Sequence, residues 1–240
     1  GSGDLWLDAY VSDFLTRARE LKYDVPEQAM VQALDNLQNA LSYDSNVVDR
    51  GNEMAYALYV LARNRKAAIS DLRFYADTKL SEFPTPLSKG HLAAALGLYG
   101  DAQRSGAIFE DALQMASTAT PNLARSDYGS ALRDNAAVLT LAAESRPVPA
   151  IIPQMAKLVS REWEQQTYTS TQEQMWMLLA ARAIQKGDKD LKVEVNGEAQ
   201  NGGYSARLSG DDVLDTPVTL VNRSKDAVTA VVTTVAAPAY

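Results

Sequence analysis

A single histidine, His91, and the absence of any cysteine confine the chemistry that this 240-residue chain could perform. Without a thiol there is no disulfide, no thiolate metal site and no cysteine nucleophile within these residues. One imidazole leaves one candidate base for a Ser-His-Asp triad and rules out a multi-histidine metal centre. His91 stands at the start of a predicted helix, Ser88-Lys89-Gly90-His91-Leu92, where it could serve as a general base. No serine or carboxylate is tied to it by a recognisable motif, so a partly exposed surface histidine is the expectation.

The carboxylates offer two further candidates. Asp211-Asp212 is a pair of the kind that binds metal, but Gly210 and flanking predicted strands favour a polar turn. Asp127 and Asp134, seven residues apart, share one helix face. Facing carboxylates serve the α/α rings that hydrolyse sugars, so a carbohydrate-active enzyme is one alternative reading; helix caps and helix-dipole partners are the default. Arg133 and Asp134 are expected to pair with helix ends or neighbouring loops. Ser170-Thr171-Gln172-Glu173 fits a capping box, as Ser170–Glu173 or as Thr169–Gln172, ahead of an apolar helix containing Trp176. No glycine-rich phosphate loop occurs. No catalytic, cofactor-binding or metal-ligating residue is assigned.

The formal net charge of −7, spread along the chain without a basic stripe, argues against a nucleic-acid partner. No run of eighteen apolar residues is present, and we expect no direct membrane contact. The first residues lack the basic and apolar regions of a signal peptide.

These groups must be positioned by helices. Leu5, Leu7, Tyr10, Val11, Phe14, Leu15 and Ala18 recur at three- and four-residue steps and predict a first helix over 4–22. Asp4 is its N-cap, and Leu7 and Val11 supply its buried face. A second opens at Pro26. A third covers 52–64, where Met54, Ala57, Leu58 and Leu61, filled in by Tyr56, Tyr59 and Val60, predict packing on more than one neighbour. Further helices are expected near 68–80, 87–99, 101–117, 127–144, 148–161 and 169–186, separated by Pro84, Pro86, Gly100, Pro121, Pro147 and Pro149. Short turns between so many helices predict antiparallel hairpins, stacked in a superhelix or closed into an α/α ring.

After Gly187 the period changes to two. Residues 191–195 alternate and Asn196-Gly197 marks a hairpin turn; residues 204–208, 218–221 and 228–235 read as three more strands. These strands are too few for a sandwich of their own. Leu96-Gly97-Leu98-Tyr99 and then residues 107–113 echo a tetratricopeptide repeat, but residues 130–147 do not repeat it, which leaves a peptide-binding array as the weaker alternative.

Three of these segments, in order, resemble one family. Asp4-Leu5-Trp6-Leu7-Asp8-Ala9-Tyr10-Val11 is similar to the tryptophan-leucine-threonine-alanine-tyrosine-valine helix of thioester-containing domains in alpha-2-macroglobulins and complement proteins, with Asp8 where threonine is usual. Asp127-Tyr128-Gly129-Ser130-Ala131-Leu132-Arg133-Asp134 resembles a segment of the bacterial alpha-2-macroglobulins. Thr169-Ser170-Thr171-Gln172-Glu173 resembles the start of the domain's closing helix. Asp215-Thr216-Pro217-Val218, with the Asn196-Gly197 hairpin, resembles the β segment on the C-terminal side of that helix in the bacterial branch.

The resemblance implies a mainly α fold. Residues 1–187 would form a thioester-domain-like α/α toroid of helical hairpins, an incomplete ring lacking its N-terminal part. Residues 188–240 would form the C-terminal portion of a CUB-like β domain. It implies that the chain is a non-catalytic part of a protease trap (an endopeptidase inhibitor of bacterial defence). Its partners would be the other domains of the same polypeptide and, through the full-length protein, target proteases. The parent would be periplasmic, lipid-anchored to the inner membrane of a Gram-negative bacterium. The residues carrying the motif, Trp6, Leu7, Tyr10, Asp127, Tyr128, Gly129, Arg133, Asp134, Ser170, Thr171, Gln172 and Glu173, are expected to be structural. The family's Cys-x-Glu-Gln thioester lies upstream of the tryptophan helix and has no counterpart here. The histidine that assists acyl transfer in some relatives has none among residues 46–51.

Overall fold

The computed structural model describes residues 4–43, 46–118, 127, 129–187, 192–201, 217–224 and 228. The chain divides into two units, Gly1–Ala183 and Ile184–Tyr240. The described residues contain nine helices, α1 (Leu5–Glu20), α2 (Glu27–Tyr43), α3 (Val47–Arg63), α4 (Ile69–Thr78), α5 (Pro86–Leu98), α6 (Ala102–Thr118), α7 (Ala131–Glu144), α8 (Ile152–Glu164) and α9 (Thr171–Gly187). A single 3₁₀ turn, Leu80–Glu82, precedes α5.

In the first unit α1, α3, α5 and α7 form an inner row. α3 packs on α1 and α5, and α5 packs on α7. The even-numbered helices lie outside: α2 against α1 and α3, α4 against α5, α6 against α5 and α7, α8 against α7. Composition dictates the layering. α3, α5 and α7 carry apolar or small residues round most of their circumference and are buried along residues 54–62, 86–96 and 132–143. A helix apolar on all sides is stable only when neighbours cover all of them. α8 instead buries a narrow stripe, Met155 and Leu158.

Helix starts carry local chemistry. The Asp4 side chain accepts from the backbone amides of Trp6 at 3.0 Å and Leu7 at 3.3 Å, satisfying donors that a helix leaves open. Thr85 and Ser88 form a reciprocal capping box at α5, whose first residue is Pro86. Ser130 caps α7 by accepting from the Arg133 amide at 3.1 Å.

Three boundaries differ from the sequence reading. α3 begins at Val47 instead of Asn52, capped by Asn46, and bends at Arg50 where φ is −130°. A Cβ on Gly51 would meet Pro84 Cδ at 2.7 Å, so this glycine allows the Pro84 ring to lie against the helix. α7 starts at Ala131, four residues later than expected, because Ser130 in extended conformation is its cap. α8 runs from Ile152 to Glu164, displaced by Pro147 and Pro149 in the preceding loop.

Among the described residues of the second unit is a three-stranded antiparallel sheet in the order β2-β1-β3, with β1 Lys192–Val195, β2 Glu198–Asn201 and β3 Leu220–Asn222. Asn196 and Gly197 join β1 to β2 with φ of 52° and 85°, the left-handed pair of a type I′ turn that matches strand twist. Of the expected strands, 218–221 appears as Leu220–Asn222. Residues 204–208, and 228–235 apart from Val228, lie outside the described residues, as does Asp211-Asp212.

Candidate functional site

Two of the sequence-selected segments meet at the start of α7. Asp127, Arg133 and Asp134 are almost wholly buried. The Arg133 guanidinium pairs with Asp127 Oδ2 at 2.7 Å and with Asp134 Oδ1 at 2.8 Å. Asp127 also accepts from the Gly129 amide at 3.2 Å. A guanidinium is the cation suited to serve two carboxylates in a dry site, because its planar fork presents several donors at fixed angles. Tyr128, from the same motif, lies outside the described residues.

Glu173, at the start of α9, reaches this cluster. Ser130 Oγ donates to Glu173 Oε1 at 2.6 Å, and the Ser170 amide donates to Oε2 at 2.6 Å. The Glu173 amide donates in return to Ser170 Oγ at 3.3 Å, so the capping box is the Ser170–Glu173 alternative. Burial opposes the charge on Glu173, but its hydrogen bonds from Ser130 and Ser170 outweigh it and hold the carboxyl below the usual glutamate range. Thr171 is exposed, and Gln172 is half-buried. Trp176, one turn on, is 2% exposed. Its carbonyl accepts from Thr140 of α7 at 3.3 Å. The arrangement locks α9 to α7. With both aspartates held by one arginine, it is a structural clasp and presents no open acid–base pair.

A second cluster links α1, α3 and α5. Trp6 stacks on Tyr10 with centroids 5.3 Å apart and tilts against Tyr56 at 6.4 Å. Tyr56 stacks on His91 at 4.3 Å, and Tyr59 flanks His91 at 5.3 Å. His91 is therefore interior, 2% exposed, and the expectation of a surface histidine is overturned. The reason is that α5 is covered on every side, so even Ser88 and Lys89 are buried. Neither ring nitrogen has a hydrogen-bond partner among the described residues, an arrangement that costs about 1–3 kcal/mol per buried donor or acceptor. Burial, reinforced by the Arg133 and Arg17 charges, holds the imidazole well below its ordinary range and keeps it neutral.

Below this stack runs an ionic network that the sequence reading missed. Tyr56 Oη donates to Asp13 Oδ2 at 3.0 Å, and Arg17 Nε donates to Asp13 Oδ1 at 3.1 Å. Arg17 also reaches Glu144 of α7 at 2.9 Å and Tyr59 Oη at 3.3 Å. Arg63 of α3 donates to Tyr59 Oη at 2.6 Å and to Glu20 of α1 at 2.5 Å. The available signal was the Asp13–Arg17 spacing of four, which places opposite charges together on one helix face.

α1 also carries an uncovered apolar stripe. Leu7 and Val11, expected to be its buried face, are 49% and 45% exposed, and Phe14 is 65% exposed. The buried face is Leu5, Trp6, Ala9, Ser12, Asp13 and Thr16. Apolar residues surround most of α1, so periodicity alone could not tell which stripe meets α3. A groove of about 710 Å³ lies along this helix, bounded by Phe14, Ala18 and Leu21 of α1, Val25 before α2, and Met175 and Leu179 of α9. Across it, the Arg17 guanidinium carbon sits 5.8 Å from the centre of the Trp176 ring. No cluster of His, Cys, Asp or Glu able to hold a metal ion occurs among the described residues, and no described helix is long and apolar enough to cross a membrane.

An inner row of helices wrapped by outer ones, a clasped closing helix and a small sheet after it define a helical domain of α/α-hairpin type joined to a β segment. Comparison with known proteins gives it a relationship: its homologues are bacterial alpha-2-macroglobulins. The chain is 33% identical over 194 residues to the alpha-2-macroglobulin of Escherichia coli, a match spanning 77% of this chain and 12% of that protein. The structure of trypsin-activated Escherichia coli alpha-2-macroglobulin superposes with a TM-score of 0.66 at 32% identity, covering 84% of this chain and 15% of that one. The structure of Salmonella alpha-2-macroglobulin reacted with methylamine superposes with a TM-score of 0.67 at 29% identity, covering 92% of this chain and 15% of that one. No family model matches the chain.

Proposed function

We propose that this chain is one stretch of a protease trap of the alpha-2-macroglobulin type, in which it builds the wall of the thioester domain without supplying the reactive group. The similarity at about 30% identity across the helical unit and into the sheet carries this reading. The treatments of two related proteins suggest the chemistry. One was activated by trypsin, and another reacted with methylamine, a small amine nucleophile. Both fit a shielded acyl group that a cleavage exposes. In such a step an amine nitrogen, a lysine of the captured protease, attacks the acyl carbon of a thioester. The carbon–sulfur bond breaks, an amide forms, and the thiolate leaves and takes up a proton. The chain has no cysteine, so in this reading the thioester belongs to another part of the parent polypeptide.

The chain itself is non-catalytic in this reading, and its immediate partners are other domains of the same polypeptide. The burial of Asp127 and Asp134 against Arg133 supports that over a sugar-hydrolysing ring, which would require an accessible pair. We place the parent in the periplasm, lipid-anchored, by analogy with the bacterial branch.

The full-length parent decides the matter. Incubated with trypsin, it is expected to give a protease adduct stable to denaturing electrophoresis, and pretreatment with methylamine is expected to abolish the adduct. This 240-residue chain alone is expected to give none. A parent that binds no protease, or a chain that degrades polysaccharide and loses that activity in D127A or D134A, would overturn the reading. Fractionation of cells expressing the parent tests its placement.

A further inference from the structure

The trapping chemistry proposed above assigns no step to the stacked histidine, and its surroundings are unusual for an ionisable group. His91 is enclosed between Tyr56 and Tyr59 of α3, with no hydrogen-bond partner for either nitrogen among the described residues. The charged groups around it leave no anion free to receive a proton's charge. On α1, Asp13 is engaged by Tyr56 and Arg17, and Arg17 itself contributes positive potential at the ring. On α7, Arg133 does the same and is ion-paired with Asp134 and with Asp127 just before the helix, while Glu144 pairs with Arg17 and Arg63. On α3 the phenols of Tyr56 and Tyr59 are pushed up by burial and stay neutral. On α6, Asp111 is paired with Lys89, two residues from His91 and so on the opposite side of α5. On α4, Arg73 and Asp77 are paired with Asp101 and Arg104.

We propose that His91 is an acid-responsive lock of the inner helices: the tyrosine–histidine stack holds α5 on α3 while the ring is neutral, and a proton on it separates them and frees α1. The route to α1 is direct. Tyr56 carries the stack on its face, donates its hydroxyl to Asp13 and lies tilted against Trp6. The tyrosine faces would attract a cation, but desolvation and the two guanidiniums act against it and dominate. The proposal does not depend on the protease-trap reading.

The sign comes from linkage. The unfolded chain takes up a proton near pH 6.5 that the folded chain refuses, so stability falls as pH drops below that value. With protonation of the folded form suppressed, His91 alone raises the unfolding constant about 30-fold between pH 8 and pH 5.

The only histidine in the chain is its own reporter. In the intact 240-residue protein, carbon-labelled histidine should show one ring signal that does not titrate near pH 6.5 while the spectrum remains folded. Denaturant unfolding of wild type and H91F, which keeps an aromatic ring but no proton, should diverge by about 30-fold in unfolding constant on going from pH 8 to pH 5. Protection of the α1 amides, taken relative to the intrinsic exchange rate at each pH, should fall in wild type at pH 5.5, and should not in H91F. If H91F fails to fold, H91Q replaces it in both measurements. Ring titration near pH 6.5 in the folded protein, an unchanged wild-type to variant ratio, or α1 protection independent of pH would each overturn the proposal.

Discussion

Arg133 illustrates how much one side chain can hold. It is 1% exposed and pairs with two buried carboxylates, Asp127 and Asp134, at the foot of α7. Removing one member of a buried ionic group leaves the others charged and dry, which costs about 3–5 kcal/mol. R133A is therefore expected to lower stability by that amount, read as a shift of the urea midpoint. A double variant R133M/D134N should recover part of the loss, because one of the two uncompensated charges is gone. Loss confined to a few tenths of a kcal/mol would mean that the aspartates find other partners. Glu173 belongs to the same clasp and to a pH effect of opposite origin from that of His91. Its carboxyl is held low by the hydrogen bonds from Ser130 and Ser170 that outweigh its burial, so its contribution is present above the ordinary glutamate range and disappears as pH falls through the lowered value.

Among the elements, α3 shows where local sequence and packing pull in different directions. Its segment Val47–Arg63 passes through Arg50, which has left helical geometry, and Gly51, which lies against Pro84. Alanine favours a helix over glycine by up to about 1 kcal/mol, yet a methyl at position 51 would press into a rigid ring at 2.7 Å, and overpacking costs typically about 1–3 kcal/mol. The second effect wins, so G51A should be destabilising by on the order of 1 kcal/mol in thermal or denaturant unfolding. A stabilised variant would show that Pro84 moves aside freely. The same helix marks the limit of sequence reading. The apolar periodicity of 52–64 identified its buried half, but not the preceding turn, whose start depends on Asn46 accepting from the Asp49 amide at 3.4 Å. Asp4, the Ser170–Glu173 box and the Asn196-Gly197 turn were legible because each acts through bonds to residues two to four positions away. His91, Leu7 and the reach of Arg17 to Glu144 were not, since their environments come from helices distant in the chain. A histidine in an alanine- and leucine-rich helix carries no local mark of being enclosed by two tyrosines more than thirty residues earlier.

At the scale of the whole molecule, the groove between α1 and α9 is the feature that asks for company. Phe14 and Leu21 are 65% and 44% exposed, while the chain spans only 12% and 15% of the lengths of the relatives it matches. In the protease-trap reading, helices from elsewhere in the parent cover this side. Leaving about 300 Å² of apolar surface wet would forgo on the order of 7 kcal/mol as an upper bound. In that reading the chain studied alone should be less stable than a version extended upstream along the parent, and more prone to associate. Size-exclusion chromatography and thermal melts of the two compare them directly, and equal, monomeric behaviour would show that the groove needs no cover.

Trp176 lies beneath the Arg17 guanidinium, with its carbonyl on Thr140, and is the largest side chain sealing α9 to the rest of its unit. The other two indoles sit on different helices, Trp6 stacked in the interior of α1 and Trp163 half in water on α8. With phenylalanine at positions 6 and 163, the remaining fluorophore would watch a single seam. Detachment of the last helix would wet it and redden its emission while the circular dichroism of the other helices held steady, which makes the seam between first and last helices optically separable from the melting of the whole.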